Sequence, residues 1–175
     1  MSILRGKHIL LGISAGIAAY KTAFLVRLFV KTGAEVRVIM TPSAKDFITP
    51  LTLSTLSNYP VISDFTDDED DNAIWNNHVE LGLWADLFVV APATANTLSK
   101  MASGNSDNFL IATYLSAQCP VYFAPAMGLD MYKHPTTQKA LEQLQTYGNI
   151  LIPSNLCELA RCLYVRGHEV APTTR

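Results

Sequence analysis

Apolar, β-rich runs alternate along this chain with segments of helical spacing, and no other feature narrows its possible folds as far. Lys7 to Ile13 and Glu35 to Met40 read as the first strands, and Gly16 to Lys31 between them as a helix closed by Gly33. Leu87 to Ala91 predicts a central strand, Pro120 to Ala124 another and Asn149 to Pro153 a last. Helices are expected from Pro50 through Ser57, from Asp107 to Ala117 and from Pro135 to Tyr147, the last ended by Gly148. Such alternation implies a parallel sheet with right-handed crossovers and helices on both faces. In these sheets ligands collect at the carboxyl ends of the strands.

The chain has 175 residues, enough for one α/β domain with a substantial core. Its 49% hydrophobic content against 16% charged is more than one such core needs, which points to burial between subunits. No apolar run reaches the ~18 residues of a membrane span, and Met1 to Lys7 lacks the plan of a signal peptide, so a cytoplasmic location is expected. Cys119, Cys157 and Cys162 have no framework spacing and read as reduced thiols. A net charge of −2 without a basic stripe argues against nucleic acid and for a small-molecule ligand. Asp67 to Asp71 is a self-repelling acidic run, read as a solvated loop rather than a cation site.

The chemistry is expected at strand ends. After Leu87-Phe88-Val89-Val90 comes Ala91-Pro92-Ala93-Thr94-Ala95-Asn96-Thr97, a small, hydroxyl- and amide-bearing loop that runs into a helix. It offers free backbone N–H groups to a phosphate or to the polar edge of a planar cofactor. The first strand ends in Gly12-Ile13-Ser14-Ala15-Gly16-Ile17, where small residues let a ligand approach the backbone, although both G-x-G-x-x-G and the G-x-x-x-x-G-K-[S/T] loop are absent. The second ends in Thr41-Pro42-Ser43-Ala44, where Ser43 reads equally as a ligand contact or a helix N-cap. His78 offers an imidazole for proton transfer or carboxylate binding, and a structural role for it stays open.

Ile13 to Lys21, Thr41 to Ala44, His78, Ala91 to Thr97, Gly104 to Asn108, Pro125-Ala126-Met127, Met131-Tyr132 and His134-Pro135 together resemble, in order, the flavin-containing cysteine decarboxylases, and within them the phosphopantothenoylcysteine decarboxylases. The resemblance spans about residues 5 to 153. It implies a Rossmann-like (flavodoxin-like) α/β fold in three layers, bound FMN, and trimers that pack into dodecamers. It implies that Ser14, Ala15, Gly16 and Ile17 meet FMN near its phosphate with Thr41 and Ser43 beside them, and that Thr94, Ala95, Asn96, Thr97 and Ala126 hold the flavin. It further implies that His78 is the active-site base across a subunit boundary, and that Met127 and the residue after it bind substrate. The implied reaction converts 4′-phosphopantothenoylcysteine to 4′-phosphopantetheine in coenzyme A biosynthesis: FMN takes electrons from the cysteine thiol, CO2 leaves, and the electrons return.

The chain departs from that family in two places. Where the family carries an asparagine that grips the substrate carboxylate, this chain has Gly128, which has no side chain to donate. Nearby Asp130 would repel a carboxylate and is not given the role. The family's clamp cysteine, the last proton donor, falls on Arg161, with Cys162 one residue later as the candidate. Cys157, Cys162 and His168 supply three metal ligands and no fourth, so no metal is expected. The expected organisation is an FMN-binding decarboxylase domain over 1–153 and a clamp-like or disordered tail over 154–175, with a ligase domain covalently linked in a longer protein. The alternatives are a catalytically impaired FMN-binding regulatory subunit and a flavoprotein that decarboxylates peptidyl cysteine.

Overall fold

The computed structural model describes residues 3–66 and 75–153, together with the backbone of strands at 155–159 and 162–167. Strand β1 (His8–Ile13) leads through a 3₁₀ turn (Ile17–Lys21) into helix α1 (Thr22–Lys31). Strand β2 (Glu35–Met40) leads through a second 3₁₀ turn (Pro42–Asp46) into α2 (Pro50–Ser57), and the short β3 (Val61–Ile62) follows. Helix α3 (His78–Trp84) precedes β4 (Leu87–Ala93), α4 (Ala95–Ser103) and α5 (Phe109–Ser116). Strand β5 (Val121–Pro125), α6 (Leu129–Lys133), α7 (Pro135–Thr146) and β6 (Ile150–Leu151) complete the main sheet. Beyond it, β7 (Asn155–Leu159) and β8 (Cys162–Gly167) pair antiparallel as a separate ribbon. The acidic run at 67–71 lies outside the described residues. No helix among the described residues is long and apolar enough to cross a membrane.

The main sheet has the order β3-β2-β1-β4-β5-β6, and every neighbouring pair is parallel. This is the doubly wound, Rossmann-like arrangement, in which the chain winds outward from β1 and then returns past it to β4. Side chains alternate between the faces. Ile9, Leu11 and Ile13 join Val36, Val38 and Met40 against Leu25 and Val26 of α1 and Leu53 of α2. Leu10, Ile39, Phe88, Val90 and Phe123 turn to the other face, where α4, α5 and α7 supply Leu98, Met101, Leu110, Ile111, Leu141 and Leu144. Each such side chain, fully buried, contributes about 1.5–3 kcal/mol. Gly12 marks a close approach: a Cβ there would lie 3.0 Å from a ring carbon of Phe88 and 3.2 Å from a methyl of Leu110.

The expected helix over 16–31 is two pieces. Gly16 is extended, a 3₁₀ turn follows, and Thr22 marks the junction with a hydroxyl that donates to the Ala19 carbonyl at 2.6 Å. Gly33, at φ +86°, adopts the left-handed conformation past the end of α1. Strand β4 continues beyond Ala91 through Pro92, which has no N–H to give, because the backbone N–H and hydroxyl of Ser14 both donate to the Pro92 carbonyl, at 3.2 and 2.6 Å. Strand β6 is only Ile150 and Leu151, shorter than the expected 149–153.

Candidate functional site

A cavity of about 570 Å³ opens at the carboxyl edge of the sheet. It straddles the ends of β1 and β4, where the strand order reverses and a crevice forms because the two following helices diverge. Ala15 to Ala18 line it from the end of β1 and Thr41 to Ser43 from the end of β2. Thr94 to Thr97 line it from the end of β4, and Ala126, Met127 and Met131 from beyond β5. Lys100 of α4 and Asp107 and Asn108 before α5 complete the wall.

The Thr41 hydroxyl is sealed from solvent and has no hydrogen-bond partner. A buried polar atom left unpaired costs about 1–3 kcal/mol, so a ligand that supplied the missing bond would recover that cost. Ser43 lies inside the 3₁₀ turn that follows β2, and α2 is capped instead by Thr49, whose hydroxyl accepts from the Thr52 N–H at 3.2 Å. The N-cap reading of Ser43 therefore fails. Thr94 is the N-cap of α4, its hydroxyl accepting from the Thr97 N–H at 3.5 Å. The positive end of α4 thus points into the cavity wall with Asn96 exposed beside it.

Ser14 does not line the cavity. It is 1% exposed, and its hydroxyl, besides donating to the Pro92 carbonyl, accepts from the Thr94 N–H at 3.0 Å. Both of its bonds go to the end of β4, so the hydroxyl ties β1 to that end and positions Thr94. Lys100, Asp107 and Asn108 were not singled out from the sequence as site residues. Their signals are legible in retrospect: Lys100 follows Asn96 by one helical turn, and Asn108 is an N-cap, its side-chain oxygen accepting from the Ile111 N–H at 3.1 Å. The Lys100 ammonium donates to Asp107, and the Asn108 amide donates to the other carboxylate oxygen at 2.8 Å. The bond from Lys100 holds the Asp107 carboxyl below its ordinary range; partial desolvation opposes it, and Asn108 adds to it.

His78 opens α3, where the side chain of Asn77 caps the helix by accepting from the N–H groups of Val79 and Glu80, each at 3.1 Å. The pair Asn77 and Glu80 is an N-x-x-E start signal that would have revealed this helix. The His78 ring sits edge-on to Phe65 at 5.9 Å and to Phe109 at 6.4 Å, and its Nδ1 is buried without a partner. It does not line the cavity of its own chain. Met127 is buried in the cavity wall, whereas Gly128 is the N-cap of α6 and lies outside the lining. With φ −61° and open space for 4 Å around the place a Cβ would take, Gly128 is demanded neither by the backbone nor by packing. The side chains of Cys157 and Cys162, and all of Arg161 and His168, lie outside the described residues. Among the described residues no three His, Cys, Asp or Glu side chains gather to hold a metal.

The family described as Flavoprotein matches residues 2–168 of this chain. A cysteine/cysteine sulfinic acid decarboxylase from an unknown prokaryotic organism is 54% identical over 125 residues, 71% of this chain and 34% of that protein. The coenzyme A biosynthesis bifunctional protein CoaBC of Haemophilus influenzae is 43% identical over 152 residues, 87% of this chain and 38% of that protein. The chain therefore spans little more than a third of these curated relatives. Among solved structures, a cysteine-to-serine mutant of PPC decarboxylase complexed with pantothenoylaminoethenethiol superposes with a TM-score of 0.79 at 35% identity, covering 93% of this chain and 90% of that one. The FMN-dependent cysteine decarboxylase SpaF superposes with a TM-score of 0.78 at 30% identity, covering 95% and 91%.

Proposed function

Because this chain belongs to the flavoprotein family, we propose that its cavity binds FMN and that it decarboxylates 4′-phosphopantothenoylcysteine to 4′-phosphopantetheine in coenzyme A biosynthesis. The observation that carries this reading is the convergence of Ala15, Gly16, Ile17, Thr41, Ser43, Thr94 to Thr97 and Ala126 on one cavity at the reversal of strand order. The cavity fits the cofactor on chemical grounds. Its end over β1 and β2 offers hydroxyls, small residues and the unpaired Thr41 oxygen, which suit a phosphate and a polyol chain. Its end over β4 and β5 offers Ala126, Met127 and Met131 beside the amides of Asn96 and Asn108, which suit a flat ring with a polar rim.

When bound, FMN would accept two electrons from the carbon that bears the sulfur, which makes the carboxylate on the adjoining carbon a good leaving group, and would return them once CO2 has left. Overall, one carbon exchanges CO2 for a proton. Thr41 and Ser43 would hold the anionic end of the cofactor, and the buried Met127 would keep water from the reacting end. His78 keeps Nδ1 dehydrated against Phe65 and Phe109, which leaves Nε2 as the nitrogen available to move a proton. Because His78 is not among the residues that line its own cavity, it serves the cavity of a neighbouring copy; the exposed Trp75, Val79 and Leu83 beside it supply the apolar surface for that contact. The assembly is a homotrimer, able to pack further into a dodecamer. Cys162 is the proposed donor of the final proton, and residues 1–153 are the decarboxylase domain, to which a ligase domain is linked in a longer protein. The protein acts in the cytoplasm.

A second reading is favoured by Gly128 and by the 54% identical relative named for cysteine and cysteine sulfinic acid: the substrate is a smaller cysteine, or the cysteine of a peptide. One experiment separates these. The purified protein is examined by absorbance, then given phosphopantothenoylcysteine, cysteine and a peptide ending in cysteine in turn, with CO2 detected. A yellow protein that releases CO2 fastest from phosphopantothenoylcysteine is the expected result, and faster release from either competitor moves the substrate to that class. A yellow protein without release is an FMN-binding regulatory subunit, and one that cannot take up FMN overturns the reading.

A further inference from the structure

The cavity carries one ion pair whose role is left open by the function proposed above. Lys100 and Asp107 are the only charged side chains among the described lining residues. In the sheet order β2, β1, β4, β5, they stand on the β4 side, away from the hydroxyl-bearing end over β2. Lys100 lies one turn beyond Asn96 on the same face of α4, and both line the cavity.

The pair is built rather than incidental. Asn108 caps α5 with its side-chain oxygen and grips one oxygen of Asp107 with its amide, so the carboxylate is fixed to the start of a helix. The other carboxylate oxygen takes one hydrogen from Lys100. An ammonium has three hydrogens to donate, so two remain for the cavity. The Lys100 side chain is 22% exposed and that of Asp107 46%, so the lysine side chain is the less solvated partner, and its charge is the less screened from a ligand in the cavity.

We propose that Lys100 is the counter-charge of the flavin ring, stabilising the negative charge that the ring gains when bound FMN takes up two electrons and one proton, with Asp107 as the positioning residue that holds and partly offsets it. The proposal rests on FMN occupying the cavity with its phosphate at the hydroxyl-bearing end. A cation beside the ring favours the reduced cofactor and raises its potential, and an anion behind that cation lowers it.

The test uses the FMN-loaded protein, titrated anaerobically with dithionite against a reference dye, and the Kd of oxidised FMN measured by fluorescence quenching. Lys100→Met is expected to weaken binding of reduced relative to oxidised FMN about tenfold, which is about 30 mV to the negative for a two-electron couple. Asp107→Asn is expected to move the potential the opposite way, and Lys100→Arg to leave it near the wild-type value. A merely structural ion pair would shift Lys100→Met and Asp107→Asn together, or change only the Kd, and either result overturns the proposal. So does a Lys100→Met protein with raised KM and an unmoved potential, which would make Lys100 an anchor for substrate. Should Lys100→Met fail to retain FMN, Asp107→Asn decides alone: no positive shift overturns the assignment. Failure of the wild-type protein to bind FMN is a separate outcome and removes the premise.

Discussion

The two edges of the main sheet carry similar polar residues and use them in opposite ways. At the amino edge, Asp86 takes the His8 N–H at 2.8 Å and the Lys7 ammonium at 3.4 Å, and the His8 ring stacks on Trp84 at 4.6 Å. There the Arg37 guanidinium, though its Nε has no hydrogen-bond partner, lies between the rings of Trp84 and Tyr59, at 4.5 and 5.2 Å. At the carboxyl edge the Thr41 hydroxyl has no partner, and Ser43 and Asn96 line a cavity rather than one another. Polar groups that close on each other consolidate the fold. Polar groups held open by the backbone are available to a ligand, and their desolvation is recovered only when it binds.

Substitutions at each edge test that contrast. The largest effect is expected at His78: His78→Asn should lower the rate of CO2 release by about 10²-fold or more while FMN content, read from the absorbance spectrum, stays unchanged. A comparable loss of FMN would instead make His78 part of the fold. If His78 serves a neighbour, mixing this variant with one whose own cavity cannot bind FMN should restore release.

Thr41→Val keeps the side-chain shape and removes the unpaired hydroxyl. It is expected to weaken FMN binding by about ten- to a hundredfold, the value of one hydrogen bond to a charged group, with no loss of apoprotein Tm. A lower apoprotein Tm would mean that the hydroxyl is satisfied within the fold, and the contrast between the edges would break there.

Asp86 should respond in the reverse sense, in stability and not in FMN affinity. The His8 N–H, followed by Lys7, holds its carboxyl below the ordinary carboxylate range. A depressed folded-state pKa contributes stability that is present above about pH 4 and is lost as pH falls through the lower folded value. Asp86→Asn should therefore flatten the acid limb of a Tm against pH curve without changing the Kd for FMN.

The smallest effect is expected at Gly128→Asn. The site is open, so the side chain is accommodated, and asparagine in place of glycine as the N-cap of α6 should add a few tenths of a kcal/mol, measurable by denaturant titration. If the missing amide limits substrate binding, CO2 release from phosphopantothenoylcysteine should rise as well; no gain would favour the smaller cysteine substrate.

Much of the fold was legible because it is local. Strand β2 falls on the expected residues, and the starts of α2 and α7 follow from Pro50 and Pro135, which suit the first turn of a helix. Edge strand β3 was not legible, since two residues carry no period, and α3 was missed because Asn77 was not weighed as a cap. Within the site, Thr94 to Thr97 announced themselves as a polar loop between an apolar strand and a helix. The tie made by Ser14 was not legible, because its hydroxyl meets partners that lie 78 and 80 residues away along the chain.

The order of residues alone determined the alternation of strand and helix, hence a parallel sheet and the edge at which its loops gather. Those properties depend on side-chain period, caps and chain connectivity, which act over a few residues. The tertiary structure decided which polar groups at that edge close on one another and which stay open. It paired Lys100 with Asp107, gave Ser14 to the backbone of β4, left Thr41 unsatisfied and set the His78 ring against Phe65 and Phe109. The physical reason is that hydrogen bonds and ion pairs are satisfied between neighbours in space, and packing two faces of one sheet sets those neighbours without regard to their distance along the chain.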